Sequence, residues 1–479
     1  MATAIPGNLA RFRLSEVARA VSGARFGEDL EIEGVAIDSR AVTPGALFVA
    51  VRGEQHDGAK FVPAALQNGA RALLIHAGTP CPEGVAYIEV EDTTRALGDL
   101  ASVYRQRWGR RVVAITGSVG KTTTKELTAA ALAAIGLSVL KTSGNLNNQF
   151  GVPMTLFGLT AAHDVAVLEV GTNAPGEIAR LGAIARPNVA AVLIAAAAHT
   201  EGLGSVSQVA DEKAALFEAL DASGCCVVNA DDAELWARLP PGLAQVSFGR
   251  TQHADVRLLE AEPTRDGTRA RIAVRGQGEL SLSLALVGYA AAINACAALA
   301  CVWALSGPGA LSAALAGLAQ VQPTPGRMAP RRLVHGVVVI DDSYNANPRS
   351  TEVSLETLRA LSSGPDSRSI AVLSDMKELG PLSHAEHVRI GELAVRSGID
   401  ILVGCGAEMA HATAAAARLA GGRLAPHPTR VVHVFDPLEA TRIVRSLWRK
   451  GDVVLVKGSR SMAMERVVEA LCQGEAETA

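Results

Sequence analysis

Cysteine is scarce in this chain, and its spacing builds nothing. Seven cysteines are spread over 479 residues. No two stand as Cys-x-x-Cys, which excludes zinc-knuckle and thioredoxin-like readings. An odd, sparse set of thiols, several in apolar segments, suits a reducing cytosol, so the protein is expected to be cytoplasmic. A basic domain is also missing: 45 Lys and Arg face 48 Asp and Glu, for a formal net charge of -3. A nucleic-acid binder would carry a basic patch, so no nucleic-acid partner is expected. No block of like charge marks a tail. The N-terminus MATAIPGNLARFRLSEVARA lacks a basic stretch followed by an apolar core, so no signal peptide is expected. Neither an internal repeat nor a low-complexity tract occurs, only a general richness in alanine.

Charge of either sign is absent from Leu280 to Gly326. Length alone would let this stretch span a bilayer, for which ~20 residues suffice. Its content points elsewhere. Gly288, Asn294, Gly307 and Pro308 interrupt it, and its first part, LSLSLALV, alternates as a strand does. A buried strand followed by alanine-rich core helices is expected, with no membrane insertion.

The chain is longer than the ~250–300 residues at which a single core stops growing, so two or three domains are expected. In the first part, IEGVAIDSRAVTPGALFVAV reads as short strands around a Thr43–Gly45 turn, followed by a helix near Phe61–Asn68 and a strand at Ala72–Ile75. A helix starting at Asp92 runs to Trp108. Next come the apolar runs Arg111–Ile115, DVAVLEVG, NVAAVLIAAA and GCCVVNADD, with helical segments such as Lys121–Ala134 between them. Short apolar runs alternating with helices predict a doubly wound parallel sheet. After the Pro-rich link VQPTPGR the alternation resumes through GVVVIDDS, SIAVLSDM, DILVGCG, VVHVFD and DVVLVKGS. The expected fold class is α/β in three regions: a small mixed α/β N-terminal region at 1–92, a central doubly wound region at 93–322 and a second α/β unit at 323–479.

The stretch VVAITGSVGKTTTKEL places a glycine-rich turn between a buried strand and a helix. Such a turn exposes backbone N–H groups at the positive end of the helix. Gly117 and Gly120 let the chain approach a phosphate, Lys121 can reach the outer phosphates, and the Thr122 hydroxyl can meet Mg²⁺. Ile115 stands where the common P-loop has its first glycine, so this loop is a shortened form. Thr116, Gly117, Ser118, Val119, Gly120, Lys121, Thr122 and Thr123 form the candidate nucleotide loop. Phosphate binding alone does not say which reaction follows.

Other candidates stand at strand ends, where α/β sheets bind ligands. Glu169 closes VAVLE and can face the nucleotide's metal, which takes oxygen ligands. A carboxylate merely solvated at a strand end is the plainer alternative. His199 follows the next strand, where a structural or exposed histidine is the plainer reading. TSGNLNNQFGVP concentrates amides and glycines, as a polar turn or a substrate loop would. VVVIDDSYNANPRS puts two acids at a strand end before a polar loop, and Arg327 adds a cation in the linker.

Taken together, TGSVGKTTTKE, TSGNLNNQFGVPMTL, LEVGTNAPGEI, AHTEGLGS, IDDSYNANPRS, LSDMKELG and VLVKGSRSMAMERVV resemble, in this order, the Mur ligases of peptidoglycan synthesis. GNLNNQFGVP and DDSYNANP look like the branch that adds a D-alanyl-D-alanine dipeptide, and IDSRAVTPGALFVAVRGEQHDGAKFV resembles that branch's first domain. The resemblance implies three α/β domains, an N-terminal UDP-sugar-binding one, a central P-loop one that binds ATP and a Rossmann-like C-terminal one that closes over both. It implies ATP and Mg²⁺ as cofactors, and UDP-MurNAc-tripeptide and D-Ala-D-Ala as the molecules joined. The tripeptide carboxylate would be phosphorylated, and the dipeptide amine would then attack the acyl phosphate. It implies catalytic roles for Lys121, Glu169, His199, Lys213 and Arg327. Thr122, Glu169 and His199 would serve the metal sites, with Lys213 doing so as a carbamate. Arg327, Asp342 and Asn294 would meet the nucleotide. Ser39 and Arg40 match the uridine-diphosphate end, Asn147 and Asn148 the muramoyl-peptide loop, and Asn345, Asn347 and Pro348 the dipeptide region. A monomer is expected.

Two departures from the family pattern stand out. Leu193 and Ile194 replace an Asn pair, and Ala290 and Ala291 replace a His-Asn pair on the adenine-side helix. Each lost donor or acceptor is worth ~0.5–1.5 kcal/mol net. Three alternatives stay open at this point: another ligase of the Mur or folylpolyglutamate synthase type, a P-loop ATPase or switch, and a nucleotide-binding homologue without catalysis.

Overall fold

The computed structural model describes residues 5–53, 57–197, 200–333, 336–364, 366–422 and 427–473. Its described strands form four sheets. The N-terminal five-stranded sheet runs in the order Ala24–Phe26, Ala86–Val90, Ala72–His76, Leu47–Val49, Val35–Ala36 and is parallel except at its first strand. A small antiparallel pair, Arg11–Arg13 with Glu31–Glu33, sits beside it. The Thr43–Gly45 turn forms as expected, with the Ala46 N–H on the Thr43 carbonyl at 3.1 Å. The helix expected at Phe61–Asn68 begins as a 3₁₀ turn, Gly58–Phe61, and continues as Val62–Gln67. Asp57 caps the turn by accepting from the Ala59 N–H.

The central sheet has nine strands. Strand Arg111–Thr116 lies third from one edge, between Val165–Glu169 and Val189–Val192. Chain order reverses across that strand, which makes it the switch point where α/β sheets bind ligands. Strand alternation sorts the side chains: Val112, Ala114, Ala166 and Leu168 enter one core, while Val113, Ile115, Val165 and Val167 enter the other. Burying each of the larger side chains contributes about 1.5–3 kcal/mol.

The first of these cores is shared with the N-terminal sheet through the helix Thr93–Trp108. Asp92 caps that helix, its carboxylate accepting from the Thr94 and Arg95 N–H groups at 2.8 and 2.9 Å. The second core holds the alanine-rich helix Tyr289–Ser306, apolar on all sides and buried against the sheet and the loop helix Lys121–Ala134. By length and composition it could cross a membrane, but it packs here as core.

Three features differ from the sequence reading. The short parallel strands Val139–Lys141 and Ala244–Gly249, both partly exposed, were not expected. The run NVAAVLIAAA forms a strand only over Val189–Val192, after which the chain leaves the sheet to support the glycine loop. The sheet also continues into an antiparallel ribbon, Val256–Thr264, Gly267–Val274 and Gly278–Leu284. Only the last of these strands was anticipated, because the ribbon's outer face is polar and its apolar period is diluted.

The C-terminal sheet runs Ala329–Arg332, Val338–Asp342, Val453–Lys457, Ser369–Ser374, Ile401–Cys405, Arg430–Val434, with only the first strand antiparallel. It docks on the central region at three places. Val287 enters the C-terminal core. Arg265, at the tip of the ribbon, donates to the Gly451 carbonyl at 2.7 Å and to the Ser367 hydroxyl at 2.9 Å. The Thr200 hydroxyl donates to the Leu379 carbonyl at 3.1 Å.

Candidate active site

A cleft of about 1050 Å³ opens between the central and C-terminal regions. One wall is the glycine loop. Strand Arg111–Thr116 delivers the chain into Gly117 and Gly120, with φ of +152° and +89°, which L side chains rarely adopt. A Cβ at Gly120 would stand 2.5 Å from the Asn294 side-chain oxygen, and one at Gly117 2.9 Å from Leu193 Cβ. The loop is tied down by the Ser118 N–H on the Ile194 carbonyl at 2.8 Å, and by the Ser118 hydroxyl, which receives the Ala196 N–H at 3.1 Å. The helix Lys121–Ala134 starts directly after Gly120, with no side-chain cap. Its first-turn N–H groups lack helical acceptors and carry the positive end of the helix dipole, which fits an oxyanion. The Lys121 amine lies over the loop and donates to the Gly117 carbonyl at 2.6 Å. Burial pulls its pKa below the ordinary lysine value; Arg327's charge acts in the same sense and Glu169 opposes.

Glu169 is 2% exposed at the end of its strand. The Asn147 amide donates to its Oε1 at 2.8 Å, while its Oε2, equally buried, receives no hydrogen bond. The nearest cation is Lys125, 4.0 Å away. A buried carboxylate oxygen without a donor suits a hard cation. Thr122 also lines the cleft, so its hydroxyl and the Glu169 carboxylate fit Mg²⁺, which commonly takes few protein oxygens. Asn148 lines the cleft too, and its side-chain oxygen receives the Phe150 and Gly151 N–H groups at 3.2 and 3.0 Å. His199 lies outside the described residues.

Lys213 is buried and does not line the cleft. Burial lowers its pKa to about 7, helped by the charge of Lys121 and opposed by Glu212 and Glu177. An amine with a substantial neutral fraction near pH 7 is nucleophilic, as carbamate formation would require.

The opposite wall comes from the C-terminal region. Arg327, Asp342, Asn345 and Asn347 line it; Pro348 does not, and instead starts the helix Pro348–Leu361 that Asn347 caps. Asp342 is already neutralised. Its Oδ2 receives the Lys457 amine at 2.6 Å and the Ser354 hydroxyl at 2.8 Å, and its Oδ1 receives the Met328 N–H at 3.3 Å. Asn294, Ala290 and Ala291 line the central side, as do Leu193 and Ile194. Ser39 and Arg40 stand apart from the cleft, on a 3₁₀ turn of the N-terminal region, where Arg40 pairs with Asp38 at 2.6 Å.

Three residues of this site carry no role in the sequence reading. Lys125 is fully buried, with its amine on the Thr142 carbonyl at 2.8 Å. Lys457 and Tyr344 line the C-terminal wall. Lys457 had a usable signal: VVLVK ends a buried apolar run on a charge, as VAVLE does.

Comparison with known protein families gives three matches in order: "Mur ligase family, catalytic domain" over 31–105, "Mur ligase middle domain" over 115–302, and "Mur ligase, glutamate ligase domain" over 326–460. A relative from Escherichia coli (strain K12) is 37% identical over 462 residues, covering 96% of this chain and 98% of the relative. The chain belongs to the Mur ligase family. That relative and one from Bacillus subtilis (strain 168), 32% identical with 93% and 94% covered, are both named UDP-N-acetylmuramoyl-tripeptide--D-alanyl-D-alanine ligase. Among solved structures, a MurF from Acinetobacter baumannii superposes with a TM-score of 0.87 at 28% identity, covering 97% of this chain and 99% of that one. A MurF ligase from Thermotoga maritima in complex with ADP gives 0.80 at 29% identity, with 91% and 96% covered. The three-domain Mur ligase architecture is therefore the fold of this chain.

Proposed function

We propose that this Mur ligase joins D-alanyl-D-alanine to UDP-MurNAc-tripeptide with ATP, making a peptidoglycan precursor. The observation that carries the reading is the single cleft in which the glycine loop and Glu169 face Arg327, Asn345 and Asn347. The names of its relatives and the ADP complex of one of them support the substrates and the nucleotide.

A carboxylate is a poor electrophile, so it must be activated. In the first step a tripeptide carboxylate oxygen attacks the γ-phosphorus of ATP, the bond to the bridging oxygen breaks, and ADP leaves with that electron pair. The loop N–H groups and Lys121 hold the phosphates, and the positive charge of Arg327 faces them from the other wall. Bringing two anions together is the electrostatic cost of this step, and these cations offset it. In the second step the dipeptide amine attacks the acyl carbon, loses a proton, and inorganic phosphate leaves. Asn345 and Asn347, which line the C-terminal wall, would orient the dipeptide, and Asn147 and Asn148 would meet the peptide end.

Thr122 and Glu169 would hold Mg²⁺, joined by His199 and by Lys213 as a carbamate. When bound, the ion supplies charge neutralisation on the phosphate oxygens. Ser39 and Arg40 would bind the uridine diphosphate, and Asn294 and Asp342 would meet the nucleotide. The domains are assigned as 1–92, 93–322 and 323–479, and the protein as a cytoplasmic monomer.

The test is ADP release with each substrate alone and with both. Ligation requires both, and ¹⁸O placed in the tripeptide carboxylate must appear in the released phosphate. ADP formed at the same rate without either substrate would instead mark an ATPase.

A further inference from the structure

Cations on the C-terminal wall are mostly spent on carboxylates. Lys457 is bound to Asp342, Lys377 to Asp375 at 2.9 Å, Arg349 to Glu352 at 2.9 Å and Arg460 to Glu465 at 3.1 Å. Arg327 is different. Among the described residues no carboxylate pairs with it, and its guanidinium carbon stands 4.1 Å from the centroid of the Tyr344 ring. The guanidinium of Arg460 reaches the same ring at 5.9 Å.

The backbone fixes this arrangement. The Tyr344 N–H donates to the Gly326 carbonyl at 3.0 Å, and the Gly326 N–H donates to the Asp341 carboxylate at 2.9 Å. Gly326 has φ of +77°, and a Cβ there would stand 3.1 Å from Tyr344 Cβ. The linker is thereby clamped to the end of strand Val338–Asp342, with the ring beside Arg327.

We propose that Tyr344 is a positioning residue for the nucleotide: its ring holds the Arg327 guanidinium at the cleft without neutralising it, leaving charge and N–H donors for an oxyanion of the triphosphate. A carboxylate in the same place would hold the arginine equally well but cancel the charge the phosphates need. The influence of Arg327 on Lys121 across the cleft agrees, since both cations then bear on one space. The inference rests on the reading of the cleft as an ATP site.

The experiment is a double-mutant cycle read by calorimetric binding of a non-hydrolysable ATP analogue, with KM for ATP and for the UDP-substrate measured beside it. Tyr344→Leu is expected to weaken analogue binding about tenfold and raise KM for ATP alike, leaving KM for the UDP-substrate unchanged. Tyr344→Phe, which keeps the ring, should stay within about threefold of wild type. In an Arg327→Ala background Tyr344→Leu should cost nothing further. Additive losses, or a Phe variant as weak as the Leu variant, would overturn the proposal. Should Tyr344→Leu fail to fold, Arg327→Lys decides: it keeps the charge but loses the planar face, and is expected to bind as weakly as Tyr344→Leu would. Wild-type affinity in Arg327→Lys overturns the inference. A wild-type chain that binds no analogue overturns the nucleotide reading and this inference with it. Normal wild-type binding with an unaffected Leu variant overturns the inference alone.

Discussion

Glu169 and Asp342 look alike in sequence. Each closes a parallel strand of buried residues, each is itself buried, and they line opposite walls of one cleft. Their surroundings differ. Glu169 keeps one oxygen without a donor and has its nearest cation 4.0 Å away, whereas Asp342 is saturated by Lys457, Ser354 and the Met328 N–H. A strand-end carboxylate can serve a metal or a substrate only where its neighbours leave part of it unsatisfied. By that standard the central wall is poised for chemistry, while much of the C-terminal wall's charge is committed to holding the wall together.

Lys121→Ala probes the central wall most severely. It removes the cation of the glycine loop, and turnover should fall about 10³-fold or more. Among the described residues the amine makes one hydrogen bond, to the Gly117 carbonyl, so the melting temperature should stay close to wild type. A variant that loses less than tenfold would erase the contrast between the walls.

Lys457→Met attacks the other wall and should behave oppositely. It leaves Asp342 buried and uncompensated, which costs about 3 kcal/mol of stability. The denaturation midpoint should shift clearly. Paired replacement by Asp342→Asn should recover much of the loss, because the uncompensated charge disappears with it. No recovery would mean that the pair is not what anchors the wall.

The sequence showed the central wall better for the same physical reason. A phosphate cradle is local: Gly117, Gly120, Lys121 and Thr122 are neighbours in the chain, and the strand before them and the helix after them follow their own periods. Most parallel strands of both large sheets were readable because they are buried on both faces; Val139–Lys141 and Ala244–Gly249, which are partly exposed, were not. The pairing of Lys457 with Asp342 joins residues 115 apart in sequence, and no local pattern announces it. Arg327 was noticed as a linker cation, but its ring partner depends on Gly326 lying against Tyr344, which only the fold establishes. The first two strands of the antiparallel ribbon escaped for another reason: the ribbon's outer face is polar, so they lack the continuous apolar runs of the others.

Asn147→Ala sharpens the comparison by making Glu169 still less satisfied. Its amide is the only side-chain donor to that carboxylate among the described residues. Without it the carboxylate is free to turn, and turnover should fall about tenfold, the worth of one hydrogen bond to a charged group. More Mg²⁺ should be needed to reach half-maximal rate. A variant with an unaltered Mg²⁺ requirement would show that Asn147 does not orient the carboxylate.

The smallest effect concerns what stands behind the C-terminal wall. His387 is fully buried; its Nε2 accepts from the Met376 N–H at 3.0 Å and its Nδ1 faces the Ser383 carbonyl at 2.7 Å, which fixes the neutral tautomer. Burial holds its pKa below the ordinary 6.5, against the raising influence of the Ser383 carbonyl, Asp375 and Glu408, with Lys377 lowering it further. The unfolded chain therefore takes up a proton near pH 6.5 that the folded chain refuses until lower pH, so stability is lost as pH falls through that interval. Met376 precedes Lys377, which lines the cleft, so His387 stands directly behind this wall. Unfolding by denaturant at pH 5.5 and pH 7.5 should differ by about 1 kcal/mol more in wild type than in His387→Gln, whose amide oxygen can still accept from Met376. Equal slopes in the two proteins would place the acid sensitivity elsewhere. A steeper wild-type slope would show that this wall depends on a neutral imidazole as well as on its ion pairs, a demand the described residues of the glycine-loop wall do not make.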